Sequence, residues 1–349
     1  MANAPVSLEQ GREAFAAVEK HGTKEKAAEA LGISASALGN RLRRAEALYG
    51  EALMSGVAAF HADPEVDADA DVDDIRARRF REFRRKSAKA SADRQINIRL
   101  DSVGSFGLTV FGDTHWDDPG SDLELFEEHM NCVLSTEAMY GGHIGDCLNN
   151  WVGRLERLHA EASVTPTEGW KLAEHYLKAL SPKLLFLSGG NHDAWSGARD
   201  PLRYICRGTE IVYRSHRTRV RLLQGTAECL TVNARHKFRG RSIYNAAHGA
   251  LRELLFGSRD DIAICGHYHV SGLSLTKCPE TGRTLRGCLV ASYKKVDDFA
   301  EQHGFSDQSI SPAVAFTCDV SKSREHPDRV QVWWDPLEAA EYLRYLRSR

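Results

Sequence analysis

The sequence predicts an α/β protein, a layered sandwich of strands and helices preceded by a small all-α helix-turn-helix module. Two observations predict it. From about Ile96 onward, short apolar segments alternate with amphipathic ones and then follow one another directly, the rhythm of βα units succeeded by β-structure. Before that, residues 7–54 are rich in Ala, Glu, Lys and Leu and free of proline, which is a helical composition. The length of 349 residues, with 42% hydrophobic and 27% charged, allows two folded units or one large unit with an appendage.

The first elements are two short helices in TKEKAAEALGISASALGNRLRRAEALYG. Thr23 can cap the first, whose inner face is Ala27, Ala28 and Leu31, and Gly32 supplies a tight turn. Ser34 can cap the second, which turns Leu38 and Leu42 inward and leaves Ser36, Asn40, Arg41, Arg43 and Arg44 outside. Next comes a charge switch: residues 63–74 hold seven acids and no base, and residues 76–89 hold eight bases and one acid. The acidic half should be extended and solvated. The basic half can form a helix with Phe80 and Phe83 on one side, and can track a nucleic-acid backbone.

Strands are expected at INIRL, GLTVFGD, KLLFLSG, CLTVNA, DIAICG, RGCLVAS, AVAFTCDV and RVQVWWD, with a short one at GGHI. Helices are expected at DLELFEEHMNCVL, which places Leu123, Phe126, Met130 and Val133 at helical spacing, and at WKLAEHYLKAL and ALRELLFG. EAAEYLRYLRSR reads as a short surface helix.

Composition narrows the function classes. The formal net charge of -2, from 46 basic and 48 acidic residues, neither demands nor forbids a polyanion, because the acidic and basic runs cancel. There is no apolar run of spanning length and no basic-then-apolar leader, so neither secretion nor a membrane is indicated. The eight cysteines lie scattered without a C-x-x-C pair and read as reduced core thiols of a cytoplasmic protein.

Polar clusters stand where strands end. GLTVF runs into Asp113 and His115, GGHI into Asp146, KLLFLSG into Asn191 and His192, CLTVNAR into His236, and DIAIC into His267 and His269. Two divalent cations a few ångström apart need a carboxylate able to bridge them, with neutral nitrogens and oxygens completing the shells. This set supplies two Asp, one Asn and several His, a mixed N/O shell suited to Mn, Fe, Zn or Co rather than Ca or Mg.

Two resemblances follow from these residues. The N-terminal segment resembles Fis-like DNA-binding helix-turn-helix modules, which implies that the second helix enters the major groove and that Ser36, Asn40, Arg41, Arg43 and Arg44 contact DNA. The order D-x-H, G-D, G-N-H-D, H, G-H-x-H over residues 105–320 resembles calcineurin-like metallophosphoesterases. That resemblance implies a four-layer α-β-β-α sandwich with two divalent transition-metal ions, manganese first among them, at its sheet edge. Asp113, His115, Asp146 and His269 would hold one metal, Asp146 would bridge, and Asn191, His267 and a further histidine would hold the other. The family's ligand stands at a strand end, which favours His236, with His248 as the alternative ligand or a substrate contact. A metal-bridging hydroxide would attack phosphorus in line, and His192 would be catalytic, protonating the leaving oxygen.

Arg239, Arg241 and Tyr244 are further candidates for substrate phosphate, and Asp117, Asn149 and Asn150 for support of the ligands. The runs GDCLNN and GNHD lack the Asp-Arg and Glu of the serine/threonine protein phosphatase branch and resemble nuclease and phosphodiesterase members. The expected organisation is a DNA-binding module over 1–58, a charged linker over 59–95, the metallophosphoesterase domain over 96–335 and a C-terminal helix or tail over 336–349. The expected function is a dinuclear-metal phosphodiesterase or nuclease acting on DNA. The alternatives are a phosphoesterase of small nucleotides or phosphomonoesters, and a catalytically idle DNA-binding or scaffold protein.

Overall fold

The structure, a computed structural model, describes residues 5–53, 71–92, 94–195, 200–296 and 308–349. Residues 63–70 of the acidic run, for which an extended conformation is expected, lie outside the described residues. The chain divides into two compact units, Met1–Phe83 and Arg84–Arg349, a division that falls inside the stretch read as a linker.

In the first unit, helices α1 (Leu8–His21), α2 (Lys24–Ala30) and α3 (Ala35–Tyr49) each start on a hydroxyl cap. The Ser7, Thr23 and Ser34 hydroxyls accept from the backbone N–H of Gln10, Lys26 and Ala37 at 3.1, 3.3 and 3.1 Å. Gly32 turns the chain between α2 and α3 with a left-handed φ of 65°. Ala14, Ala27, Ala28, Leu38 and Leu42 form the small core that the apolar spacing predicts.

Helix α4 (Val72–Ala92) begins where the acidic run ends. Val72, Asp73 and Asp74 are therefore helical rather than extended, a correction with a clear cause: two carboxylates in the first turn favour the helix N-terminus. The basic half is helical as expected, and Phe80 and Phe83 stand exposed on it.

The second unit holds two six-stranded sheets. Its elements are β1 (Ile96–Arg99), β2 (Phe106–Phe111), α5 (Leu123–Ser135), β3 (Met139–His143), α6 (Pro166–Leu180), β4 (Leu184–Ser188), α7 (Asn191–Ala194), α8 (Pro201–Ile205), β5 (Val212–Arg214), β6 (Arg217–Gln224), β7 (Ala227–Arg235), α9 (His248–Glu253), β8 (Ile262–Cys265), β9 (Gly272–Lys277), β10 (Thr284–Leu289), β11 (Ala313–Cys318), β12 (Val330–Trp333) and α10 (Pro336–Arg347). One sheet runs β1-β6-β7-β8-β10-β9 and the other β12-β11-β2-β3-β4-β5. Strands β2, β3, β4 and β5 pair in parallel, as do β7, β8 and β10.

Phe106, Leu108, Val110, Val314 and Phe316 of one sheet pack on Val220, Leu222, Val232, Ile262 and Ile264 of the other, forming the inner core. Helices α5, α6 and α10 cover the outer face of the second sheet through Phe126, Val133, Leu177, Ala339 and Leu343. Helix α9 covers the first through Ala250, against Ala263 and Leu289. The result is a four-layer α-β-β-α sandwich. Strands β2 and β8 are buried at every position, as fits parallel strands covered on both sides.

Helix α10 is one of these covering helices, not an appended tail, because Ala339, Ala340 and Leu343 are fully buried. Strands β5, β6 and β9 are additions to the expected set. In β6, Arg217, Arg219 and Arg221 alternate with buried Thr218, Val220 and Leu222, a period-two pattern masked by its charges. All eight cysteines are free thiols.

Candidate metal centre

The polar clusters follow β2, β3, β4, β7 and β8, and the structure brings all of them together at the carboxyl ends of these parallel strands. Backbone bonds tie the loops to one another. The N–H groups of Thr114 and His115 donate to the Asp146 carbonyl at 3.2 and 3.0 Å, and that of Gly266 donates to the His236 carbonyl at 3.0 Å. The N–H groups of His267 and His192 donate to the carboxylates of Asp113 and Asp146 at 2.7 and 2.9 Å. A Cβ on Gly190 would overlap the Asp146 carboxylate, so glycine there lets the two loops close. His115, Asp146, Asn150, His267 and His269 all take left-handed φ values, of 42°, 50°, 44°, 74° and 54°. Non-glycine residues rarely adopt this region, and such strain gathers at functional sites.

Ligand atoms of Asp113, His115 and His269 form one convergent group and those of Asp146, His236 and His267 another, each within 4.8 Å. Asp146 Oδ2 lies 3.0 Å from His236 Nε2, and Asn191 Oδ1 lies 2.9 Å from the same nitrogen and 2.8 Å from His267 Nδ1. His236 Nδ1 donates to the Ile144 carbonyl at 3.1 Å, which fixes the ring with Nε2 directed into the cluster. Asp113 Oδ1 and both ring nitrogens of His115 are buried with no hydrogen-bond partner among the described residues. Orphaned buried donor atoms of this kind, in a His/Asp/Asn set, fit divalent transition-metal ions.

The charges agree. Burial, then the neighbouring His192 and His269, holds the His115 pKa well below the ordinary value, and burial, then His236 and Lys237, brings His267 to about 4. Both rings are thereby kept neutral, the form that binds metal. His236 differs: burial would lower it, but the Asp113 and Asp146 carboxylates outweigh burial and raise it to about 9, so its ring carries a second proton that a metal ion would displace. Burial would raise Asp146, yet His236, then His192 and His115, hold it well below the usual carboxylate range. Cationic partners thus stabilise charge in this cluster.

His192 lies against the candidate ligand groups. Its Nδ1 donates to the Asn149 carbonyl at 2.6 Å, and its Nε2 stands 3.8 Å from Asp146 Oδ2. His236 belongs to the cluster, whereas His248 begins α9 and is in neither ligand group among the described residues. Asp117 Oδ1 accepts from the Asn149 N–H at 2.7 Å, and the Asn150 amide donates to the His192 carbonyl at 2.6 Å, so these residues hold the loop that carries His192. Arg239, Arg241 and Tyr244 are exposed on the loop after His236.

Several residues that the sequence pattern leaves without a role also shape the site. The Asp193 carboxylate accepts from the N–H groups of Asp146, Gly190 and Cys147 at 2.9, 2.8 and 3.1 Å, bracing the turns that carry Asp146 and Asn191. Burial, then the charge of Asp146, raises its pKa against those donors. Trp151 and Trp195 flank His192 with ring centroids at 5.1 and 4.1 Å. Asp193 is visible as the last letter of G-N-H-D, but the tryptophan contacts join separate loops and carry no sequence signal.

On α3, Ser36, Asn40, Arg43 and Arg44 are exposed and Arg41 is half-buried. Arg43 Nη2 donates to Asn40 Oδ1 at 2.7 Å. No described helix is long and apolar enough to cross a membrane.

Residues 12–56 match the family model described as bacterial regulatory helix-turn-helix protein, lysR family. This is a helix-turn-helix, as the sequence indicates, although of a differently named class from the Fis-like one. No curated protein matches the chain. Among solved structures, the fold is similar to wild-type Vps29 complexed with Zn2+ from Entamoeba histolytica, with 12% identity, 65% of this chain and 97% of that one covered, and a TM-score of 0.32. It is also similar to the calcineurin-like phosphoesterase YfkN from Bacillus subtilis, with 10% identity, 70% and 99% coverage, and a TM-score of 0.35. Likenesses of this strength say nothing about chemistry.

Proposed function

We propose that the chain is a metal-dependent phosphoric ester hydrolase, a phosphodiesterase or nuclease that acts on DNA, with the helix-turn-helix as its DNA-contacting element. The observation that carries the proposal is the convergence of the two groups, Asp113-His115-His269 and Asp146-His236-His267, on one sheet edge with Asn191 and His192 between loops.

Asp113, His115, Asp146 and His269 would hold one ion, and Asp146, Asn191, His236 and His267 the other, with manganese the first choice of metal. Such ions supply Lewis-acid neutralisation of charge on phosphorus oxygens. Hydrolysis adds water across a P–O bond: a new bond forms from the water oxygen to phosphorus as the bond to the leaving oxygen breaks. The leaving oxygen needs a proton, and we assign its delivery to His192 Nε2, a role supported by the Asn149 carbonyl that holds Nδ1 and by the 3.8 Å from Nε2 to Asp146 Oδ2. Asp193 positions the turn that presents Asp146 and Asn191. The exposed Ser36, Asn40, Arg43 and Arg44, with Arg41 beside them, offer phosphate and base contacts.

The test incubates the protein and Mn2+ with single- and double-stranded DNA and with a small phosphodiester. Cleavage of DNA supports the full reading. Turnover of the small ester or of a monoester alone removes the nuclease assignment, and no turnover of any of them overturns the hydrolase. His192→Ala should retain its metal and lose about 10²–10⁴ in kcat, with a smaller loss on a p-nitrophenyl ester, whose leaving group needs no proton.

A further inference from the structure

We propose that Lys237 and Arg241, braced on Tyr268, form a subsite for a second phosphate of the substrate beside the one that is cleaved. The proposal rests on the reading of the metal centre above, and it names the substrate class: a phosphodiester carrying at least one further phosphate, as in a nucleic-acid strand or a phosphorylated dinucleotide.

The first observation concerns hydrogen bonding. His267 points Nδ1 into the ligand cluster, 2.8 Å from Asn191 Oδ1 and 3.1 Å from His236 Nε2, while its other nitrogen, Nε2, lies 3.1 Å from Lys237 Nζ. The Lys237 ammonium donates to Nε2, which anchors it at the rim of the ligand cluster. An ammonium has three N–H bonds, and an anionic oxygen is the acceptor that those beyond the one on His267 bind best.

The second observation concerns charge. Lys237 Nζ and the Arg241 guanidinium carbon lie 4.9 and 5.2 Å from the centroid of the same Tyr268 ring. Neither cation is paired with a carboxylate among the described residues. Tyr268 stands between the two histidines of G-H-Y-H, and its ring lies 4.9 Å from that of His267, so the platform is fixed to the loop that carries the candidate ligands. Two uncompensated cations held beside a site for a phosphoester match an additional phosphate rather than a neutral substituent.

The test compares thymidylyl-thymidine with the same dinucleotide bearing a 5′- or a 3′-terminal phosphate, using the full chain with Mn2+. In parallel, calorimetry measures the Kd of thymidine 3′,5′-bisphosphate against that of thymidine 5′-monophosphate. One phosphorylated dinucleotide should have a kcat/KM at least about tenfold above that of the parent, and the bisphosphate should bind tighter by a similar factor. Both ratios should fall to near one in Lys237→Ala/Arg241→Ala and part of the way in Arg241→Ala, which lies away from the ligands and guards against loss of metal in the double variant. Wild-type ratios of one, or ratios unchanged in the variants, overturn the subsite. If no dinucleotide is cleaved at all, the nuclease assignment fails, and the bisphosphate-to-monophosphate binding ratio still decides the subsite.

Discussion

At the residue scale, chemistry-bearing side chains are held by bonds that only the folded loops create. Asp193 is the clearest case. Its carboxylate takes three backbone N–H groups, from Asp146, Cys147 and Gly190, and so fixes two turns at once. Asp193→Asn would put an amide N–H₂ against at least one of those donors. The variant should bind Mn2+ about 10–100-fold more weakly, measured by metal titration against wild type, and unchanged affinity would remove the positioning role. Residue type and order alone make Asp113, His115, Asp146, Asn191, His192, His236, His267 and His269 legible in the sequence, because each follows a strand. Contacts between loops far apart in sequence do not read out in this way, among them Trp151 and Trp195 on His192, or Lys237 on His267.

At the scale of elements, periodicity is legible wherever one face alone is buried. Helices α2 and α3, with the caps Thr23 and Ser34, and the helices α5 and α6 follow from apolar spacing. The edge strand β9 does not, since Leu273 and Leu275 point to solvent and reverse the usual alternation. Helix α5 also carries a buried titratable group. His129 Nδ1 contacts the Tyr293 hydroxyl at 2.8 Å, and burial lowers its pKa from 6.5 to about 4. As pH falls, the unfolded chain takes up this proton before the folded one does, so the His129 contribution is intact above about 6.5 and is lost between there and about 4. The loss is at most about 3 kcal/mol. Thermal melts from pH 7.5 to 4.5 should therefore fall less steeply for His129→Gln than for wild type, and parallel curves would contradict this.

At the scale of the whole molecule, the near-neutral charge hides a polar division along the chain, and five of the fifteen histidines gather at one sheet edge. The sandwich serves that edge. Two sheets with covering helices give five parallel strands whose ends converge, and the left-handed backbone at His115, Asp146, His267 and His269 is sustained by the packing beneath it. Ions bound only by the folded state stabilise it by mass action, so Mn2+ at about 100 times its Kd should add about 2.7 kcal/mol for each site filled, seen as a rise in Tm that EDTA reverses. The metal content of the purified chain, measured by plasma mass spectrometry after Mn2+ loading and desalting, tests the central claim most directly. The account predicts about two ions per chain, with both sites weakened in Asp146→Ala. A wild-type chain that retains less than one ion under saturating Mn2+, or an Asp146→Ala chain that retains the full complement, would contradict it.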